Sequence, residues 1–268
     1  MSSSSPAIRY PSSVGKVSSE IRYLFVRGLK QSMRPTAAML PSLFMPAFFF
    51  IINSAAFAAL TKLPGFSSGS YLVFYAPVAL LMAIFFSSGD AGIDLVVDIT
   101  SGYLDKLMIA PIHHISIVIG KLLAVGLRAA VQTSIVMAII LLAGGRMATG
   151  FTGFLIILLL GALFGMAWSA IGMSIALLTR NQRATQSSFI LFFPFTFITT
   201  SQLPLNLLHG WYRTAVQINP VTYVLEALRS LTSVGWQWDV IGRGFVVALV
   251  TGVVTISWAM TSFRRSYP

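Results

Sequence analysis

Six apolar stretches, separated by short polar connections, dominate this chain. They run from Ala37 to Leu60, Tyr71 to Asp90, Ile115 to Leu142, Phe151 to Leu178, Ala184 to Leu203 and Val240 to Ser262. A hydrocarbon slab of ~30 Å is crossed by about 20 apolar residues in a helix, because every backbone N–H and C=O inside it must bond within its own segment. The runs are continuous rather than alternating, which argues against the strands of a lipid-facing barrel. Composition agrees: 56% of the residues are hydrophobic, 9% are charged and mean hydropathy is +0.82, too little polar surface for a water-soluble domain of this size. The pattern predicts an all-α membrane protein with six transmembrane helices. The fifth span is the weakest, since Pro194 interrupts it and its flanks are polar rather than charged.

A net charge of +11 could suit nucleic acid, but the placement of the cations reads as topology, and no nucleic-acid partner is expected. Arg9, Lys16, Arg22, Arg27, Lys30 and Arg34 precede the first span, Arg180 and Arg183 follow the fourth, and Arg264 and Arg265 close the chain. The alternate connections carry only Lys62 and Arg146, then Arg213 and Arg229 in one long loop, with Arg243 at the mouth of the last span. By the positive-inside rule both termini are predicted to be cytoplasmic. No apolar run occupies the first twenty residues, so the first span is expected to insert as an uncleaved anchor. Cysteine is absent, which excludes disulfides and thiolate chemistry. His113, His114 and His209 all lie outside the spans, so no intramembrane metal site is expected.

Residues 1–34 are expected to form a cytoplasmic segment and residues 35–268 the membrane domain. In the first, Val17, Ile21, Leu24, Phe25, Leu29 and Met33 recur at helical spacing while Glu20, Arg27, Lys30 and Arg34 fall elsewhere on the wheel. Two readings fit: an amphipathic helix lying on lipid headgroups before a turn at Pro35, or a basic segment that only sets topology. Four of the chain's seven acids, Asp90, Asp94, Asp98 and Asp105, cluster between the second and third spans. Spaced four apart, the first three share a face if the second helix continues past the bilayer. Gly102 is expected to end that helix. Leu104, Leu107 and Met108 then fall on one side of a short segment stopped by Pro111. Such a knob suits a soluble partner, and an ordinary solvated loop fits the same residues.

The run from Val97 to Ile112, with Ile119-Gly120-Lys121 after it, resembles the cytoplasmic segment of ABC-2-type exporter permeases. In that family an acid and a Gly precede a Leu-rich short helix, a small residue with Pro ends it, and Gly-Lys opens the third span. A second stretch, Leu203-Pro204-Leu205, Trp211, Ile218-Asn219-Pro220-Val221-Thr222-Tyr223 and Glu226-Ala227-Leu228-Arg229, is similar to the family's extracellular connection between helices five and six. His113-His114 departs from the polar or basic pair common at that point. The resemblance implies a permease subunit of an ATP-driven exporter, acting as a dimer with a second copy or homologue in a prokaryotic plasma membrane. It further implies that Asp98, Gly102, Leu104, Asp105, Leu107, Met108 and Pro111 couple to a separate ATPase subunit, which binds the ATP and Mg. Pro204, Asn219, Pro220, Glu226 and Arg229 would belong to short re-entrant helices closing the outer exit. No Gly-x-x-x-x-Gly-Lys-Ser/Thr loop occurs in this chain, so no cofactor and no ATPase activity of its own are expected.

The residues themselves accommodate that assignment. Asn219 can cap a helix whose first residue is Pro220 and which is predicted to run to about Ser233, with Glu226 and Arg229 one turn apart. Pro204 and Gly210 bracket a further short piece. Lys121, Arg128 and Gln132 share one face of the third span. A charge as deep as Arg128 costs about 2.5 to 3.5 kcal/mol unless it faces protein or water, and Asp90 or Asp94 could pair with it. That pair can hold helices in register or contact substrate. Trp168, Phe192, Phe193, Phe195 and Phe197 can line a route or fill the core, and Gly161, Gly165, Ser169, Ala170 and Gly172 permit close packing, which could include a seam between two copies. A secondary transporter or channel, the alternative class, needs ion sites near the midplane, whereas the acids here sit at one edge. An intramembrane protease needs a base beside its nucleophile, and Ser169 has no intramembrane His. With few intramembrane charges, an amphipathic or lipidic substrate is expected, a drug, antibiotic, lipid or glycan.

Overall fold

The computed structural model describes residues 14–33, 36–62, 70–110 and 112–266. Expectations placed on Arg34, Pro35 and Pro111 lie outside the described residues. Every regular element among those described is helical. In chain order they are α1 (Val14–Met33), α2 (Thr36–Ala56), α3 (Tyr71–Ser88), α4 (Asp90–Thr100), α5 (Tyr103–Ile109), α6 (His114–Leu142), α7 (Gly150–Thr179), α8 (Gln182–Ile190), α9 (Phe192–Phe197), α10 (Gly210–Ile218), α11 (Pro220–Arg229) and α12 (Trp238–Ser266). Tight 3₁₀ turns occupy Ala58–Lys62 and Leu205–Leu207, and a π turn occupies Ser230–Val234.

Four helical stretches among the described residues are long and apolar enough to cross a membrane: Tyr71–Thr100, Ile115–Leu142, Gly150–Thr179 and Trp238–Ser266. The first joins α3 to α4, because Gly89 keeps helical angles (φ −64, ψ −32). The second predicted span therefore continues well past Asp90, as the four-residue spacing of the acids anticipated. The helix expected over Ala37 to Leu60 stops at Ala56. There the ladder tightens, with Leu60 N–H bonding the Phe57 carbonyl at 2.9 Å.

The fifth predicted span, Ala184 to Leu203, is not one helix; it is divided into α8 and α9 and followed by turns. Pro194 accounts for the break. It has no N–H to give and its ring collides with the carbonyl four residues earlier, that of Ile190, where α8 ends. In α9 it occupies the first turn, whose N–H groups have no intrahelical acceptor anyway.

Hydropathy pattern decides what lies inside. α3 is apolar all round, and a helix with no polar face belongs in the interior. Its span is 78% buried, against 28% for the span in α12. α7 lies against α3, α4, α6 and α12, and glycine allows the approach. A methyl group on Gly165 would meet Ala129 Cβ at 3.1 Å and one on Gly161 would meet Ile84 Cδ1 at 3.1 Å. The small residues of α7 thus serve contacts within this chain, since Gly161, Gly165, Ser169, Ala170 and Gly172 are all buried. Trp168 and Phe192 pack on Phe85, with centroids 4.6 and 4.4 Å away, so they fill the core. Phe195 and Phe197 remain partly exposed.

Candidate functional site

At one end of the α3–α4 rod, Gly102 has φ +68, a left-handed angle that glycine adopts without strain, and the chain turns there from α4 into α5. Just before the turn, Asp98 is 2% exposed. Arg27 of α1 donates to its two oxygens at 2.8 and 3.2 Å, and Lys121 of α6 donates at 2.5 Å. The Arg27 guanidinium also lies over the Tyr103 ring of α5, 3.5 Å from its centroid. One carboxylate therefore joins three helices, α4, α1 and α6, and Arg27 extends the tie to α5. Charges taken out of water are stable only when paired and hydrogen-bonded this closely.

A second tie lies two turns earlier on α1. Glu20 accepts from the backbone N–H of His113 at 3.1 Å and the Ser116 hydroxyl at 2.8 Å, with His113 Nδ1 at 3.3 Å. It so satisfies donors that the start of α6 leaves open. Burial pushes the Glu20 carboxyl upward, but the hydrogen bonds from His113 and Ser116 outweigh it and hold the group below the ordinary glutamate range. The apolar face of α1 packs on α6, where Leu24 Cβ lies so near Gly120 that a methyl group there would approach it to 2.7 Å. Glu20 and Arg27, expected off the apolar face, with Arg27 near lipid headgroups, bond to α6 and α4 instead. Their spacing of seven, on the side of Leu24, was the available signal.

In α5, Leu104 is fully buried. Leu107 and Met108 pack partly buried beside it on a cluster that includes Leu95, Ile117, Leu177 and Phe263. These side chains anchor α5 to the body. The opposite side presents Asp105 and Lys106 to solvent, and Ile109 at 86% exposure.

Farther along the rod, Arg128 is buried and ion-paired with Asp90. Asp94 lies one turn from each of Asp90 and Asp98 on the same face of α4. Gln132 donates to the Ser42 hydroxyl of α2 at 2.9 Å. The polar face of α6 is therefore turned inward on α4 and α2, and its Asp90–Arg128 pair joins α4 to α6.

The other end of the rod meets α11. Asn219 Oδ1 accepts the N–H of Val221 at 3.0 Å, and Pro220 takes the first helical position, as the sequence anticipated. The Asn219 amide also donates to the carbonyls of Phe195 at 2.7 Å and Ile198 at 2.5 Å, tying the start of α11 to the end of α9. α11 keeps α-helical form only to Arg229, four residues short of Ser233. The next stretch widens to a π turn closed by Gly235 N–H on the Ser230 carbonyl at 2.8 Å, with Gly235 at φ +115. Arg229 donates to Glu226 at 2.5 Å and to the Thr200 hydroxyl and carbonyl at 2.9 and 2.8 Å. It also sits over the Phe74 ring of α3, 4.3 Å from its centroid. Glu226 further accepts from the Thr200 hydroxyl. A cleft of about 1080 Å³ opens beside this pair, with Pro204, Arg146 and Arg243 among its lining.

Among the described residues no three His, Asp or Glu side chains are placed to hold a metal ion. The arrangement suits mechanical work: one end anchors a short exposed helix through a buried charge, the other borders a cleft.

A profile described as ABC-2 type transporter matches residues 19–233. The chain is 25% identical over 209 residues, 78% of its length and 75% of the other's, to the "Probable doxorubicin resistance ABC transporter permease protein DrrC" of Mycobacterium tuberculosis. It is 26% identical over 226 residues, 83% of its length and 76% of the other's, to the "Daunorubicin resistance ABC transporter permease protein DrrB1" of Streptomyces coeruleorubidus.

Proposed function

The chain belongs to the ABC-2 type transporter family, and from that premise we propose that it is the permease subunit of an ATP-driven exporter. ABC-2 permeases are multi-pass membrane proteins that work with an ATP-binding subunit and are not themselves the ATPase. In our reading this chain crosses the membrane six times, α2 and the α8–α9 region adding to the four long spans, with both termini cytoplasmic and the transport path formed with a second copy or homologue. The Asp98 end then faces the cytoplasm and the Arg229 cleft faces outward, bordered by short re-entrant helices. Residues 1–34 form the cytoplasmic lead-in and 35–268 the membrane domain. The substrate class we favour is amphipathic or lipidic. The relatives named for doxorubicin and daunorubicin resistance support this, as does the scarcity of intramembrane charge.

The observation that carries the reading is the division of labour in α5. Leu104 is held inside while Asp105, Lys106 and Ile109 stand outward, on a helix tied to Asp98 through Arg27 and Tyr103. A soluble ATPase subunit that seats α5 can thus move α1, α4 and α6 as a unit. The test is copurification from native membranes with the tagged chain. We expect a subunit bearing a phosphate-binding loop, lost in Ile109→Asp while the melting temperature stays unchanged. Recovery of the folded chain alone, even after mild crosslinking, would return the secondary-transporter reading to first place.

A further inference from the structure

We infer that the cleft beside Arg229 is a binding site for the anionic head of an amphiphile, a phosphoryl group carried on an apolar chain. Three arginines line it, Arg146, Arg229 and Arg243, against one carboxylate, Glu226. That carboxylate is already engaged by Arg229 and by the Thr200 hydroxyl. Asp239 stands 3.7 Å from Arg243, both side chains being 68% exposed, an ion pair too wet to neutralise the rim. The wall of the cleft is also under-satisfied. Arg229 is 8% exposed and Thr222 is 7% exposed, yet Arg229 Nε and Thr222 Oγ1 have no hydrogen-bond partner among the described residues. Both atoms are closed off from the cleft in this conformation, so what meets an incoming phosphoryl group is the excess of guanidinium over carboxylate charge on the lining.

The position suits an amphiphile rather than a free ion. Trp236 and Trp238 stack with centroids 4.9 Å apart and remain exposed at the start of α12, and Gln237 between them lines the cleft. Paired exposed tryptophans at the mouth of a span mark the headgroup level of a bilayer. The apolar side of the cleft, with Val73, Phe74 and Val240, leaves room for the first methylenes of a chain. This inference does not depend on the export reading, because it concerns binding alone.

The test uses the full-length chain in phosphatidylcholine nanodiscs, titrated with dihexanoyl phosphatidic acid and followed by tryptophan fluorescence. We expect saturable binding that is at least about tenfold tighter than for dihexanoyl phosphatidylcholine, weakening as salt is raised. The double variant Arg146→Gln, Arg243→Gln alters two exposed side chains, so it should keep the wild-type melting temperature and lose about tenfold in affinity. Displacement by millimolar inorganic phosphate would support the site and assign it to free phosphate as well; no displacement would support a lipid headgroup alone. Equal binding of the two lipids, or unchanged affinity in the double variant, overturns the inference whether or not the chain exports anything.

Discussion

At the Asp98 end one charge joins helices that are apart in sequence, Arg27 lying 71 positions and Lys121 23 positions from Asp98. At the Arg229 end several smaller bonds divide the work. Asn219 reaches carbonyls 21 and 24 residues away, and Arg229 lies one turn from Glu226. A single buried carboxylate is a strong tie with no reserve, since removing it leaves both of its cations uncompensated. A set of neutral hydrogen bonds around a cap loses only a fraction when one member goes. The first end therefore rests on one carboxylate, whereas the second, which also holds the pair of buried Arg229 with Glu226, is a braced rim.

The comparison breaks most visibly at Asp98. Asp98→Ala leaves Arg27 and Lys121 without their shared anion and should lower stability by about 3 to 5 kcal/mol, seen as loss of the folded fraction in detergent melts. Adding Lys121→Met should recover part of the loss. If Asp98→Ala melts like wild type, the charge is not what holds this end. Gly92→Ala sharpens the same contrast without touching charge. The new methyl would meet the Gly172 carbonyl oxygen at 2.6 Å and Thr185 Cγ2 at 2.5 Å, an overpacking worth about 1 to 3 kcal/mol; unlike the Asp98 effect it should not vary with salt. At the braced end, Asn219→Ala should lose only about 1 to 2 kcal/mol. Hydrogen exchange should speed at Val221 while Asp98-end amides stay protected, and uniform acceleration would contradict the separation of the two ends.

The smallest effect concerns pH. Because hydrogen bonds hold the Glu20 carboxyl below its ordinary range, its stabilising contribution is complete above the unfolded value of about 4.3 and is lost as pH falls through the lower folded value. Glu20→Gln should flatten that acid limb of the stability curve and lower stability at neutral pH towards the level the wild type reaches in acid. An unchanged acid limb would show that the α1–α6 contact does not depend on this carboxylate.

What could be read from the sequence follows how local each signal is. The Asn219-Pro220 start of α11 and the stop at Gly102 rest on spacings within one or two elements, and the structure contains both; for Arg128 the sequence left Asp90 and Asp94 open, and the structure pairs it with Asp90. Pro194 was visible as an interruption, yet the apolar run around it suggested one span; hydropathy does not register a missing N–H. The Arg27–Asp98 pair had no local signature, because only the packing of α1 on α6 brings residues 71 apart together. For α5 the periodicity gave the apolar side correctly, but whether that side turns to the protein's own core or to a partner is decided by packing, which buries Leu104.

The α3–α4 rod has one further geometric consequence. Its thirty residues span about 45 Å at 1.5 Å per residue, with Asp98 near one tip and Phe74, under Arg229, near the other. Between them Gly92 lies close against the Gly172 backbone and the Thr185 methyl group, where no larger residue fits without a shift. One continuous element so packed along its length places α5 and the Arg229 cleft about eight turns apart on a common axis.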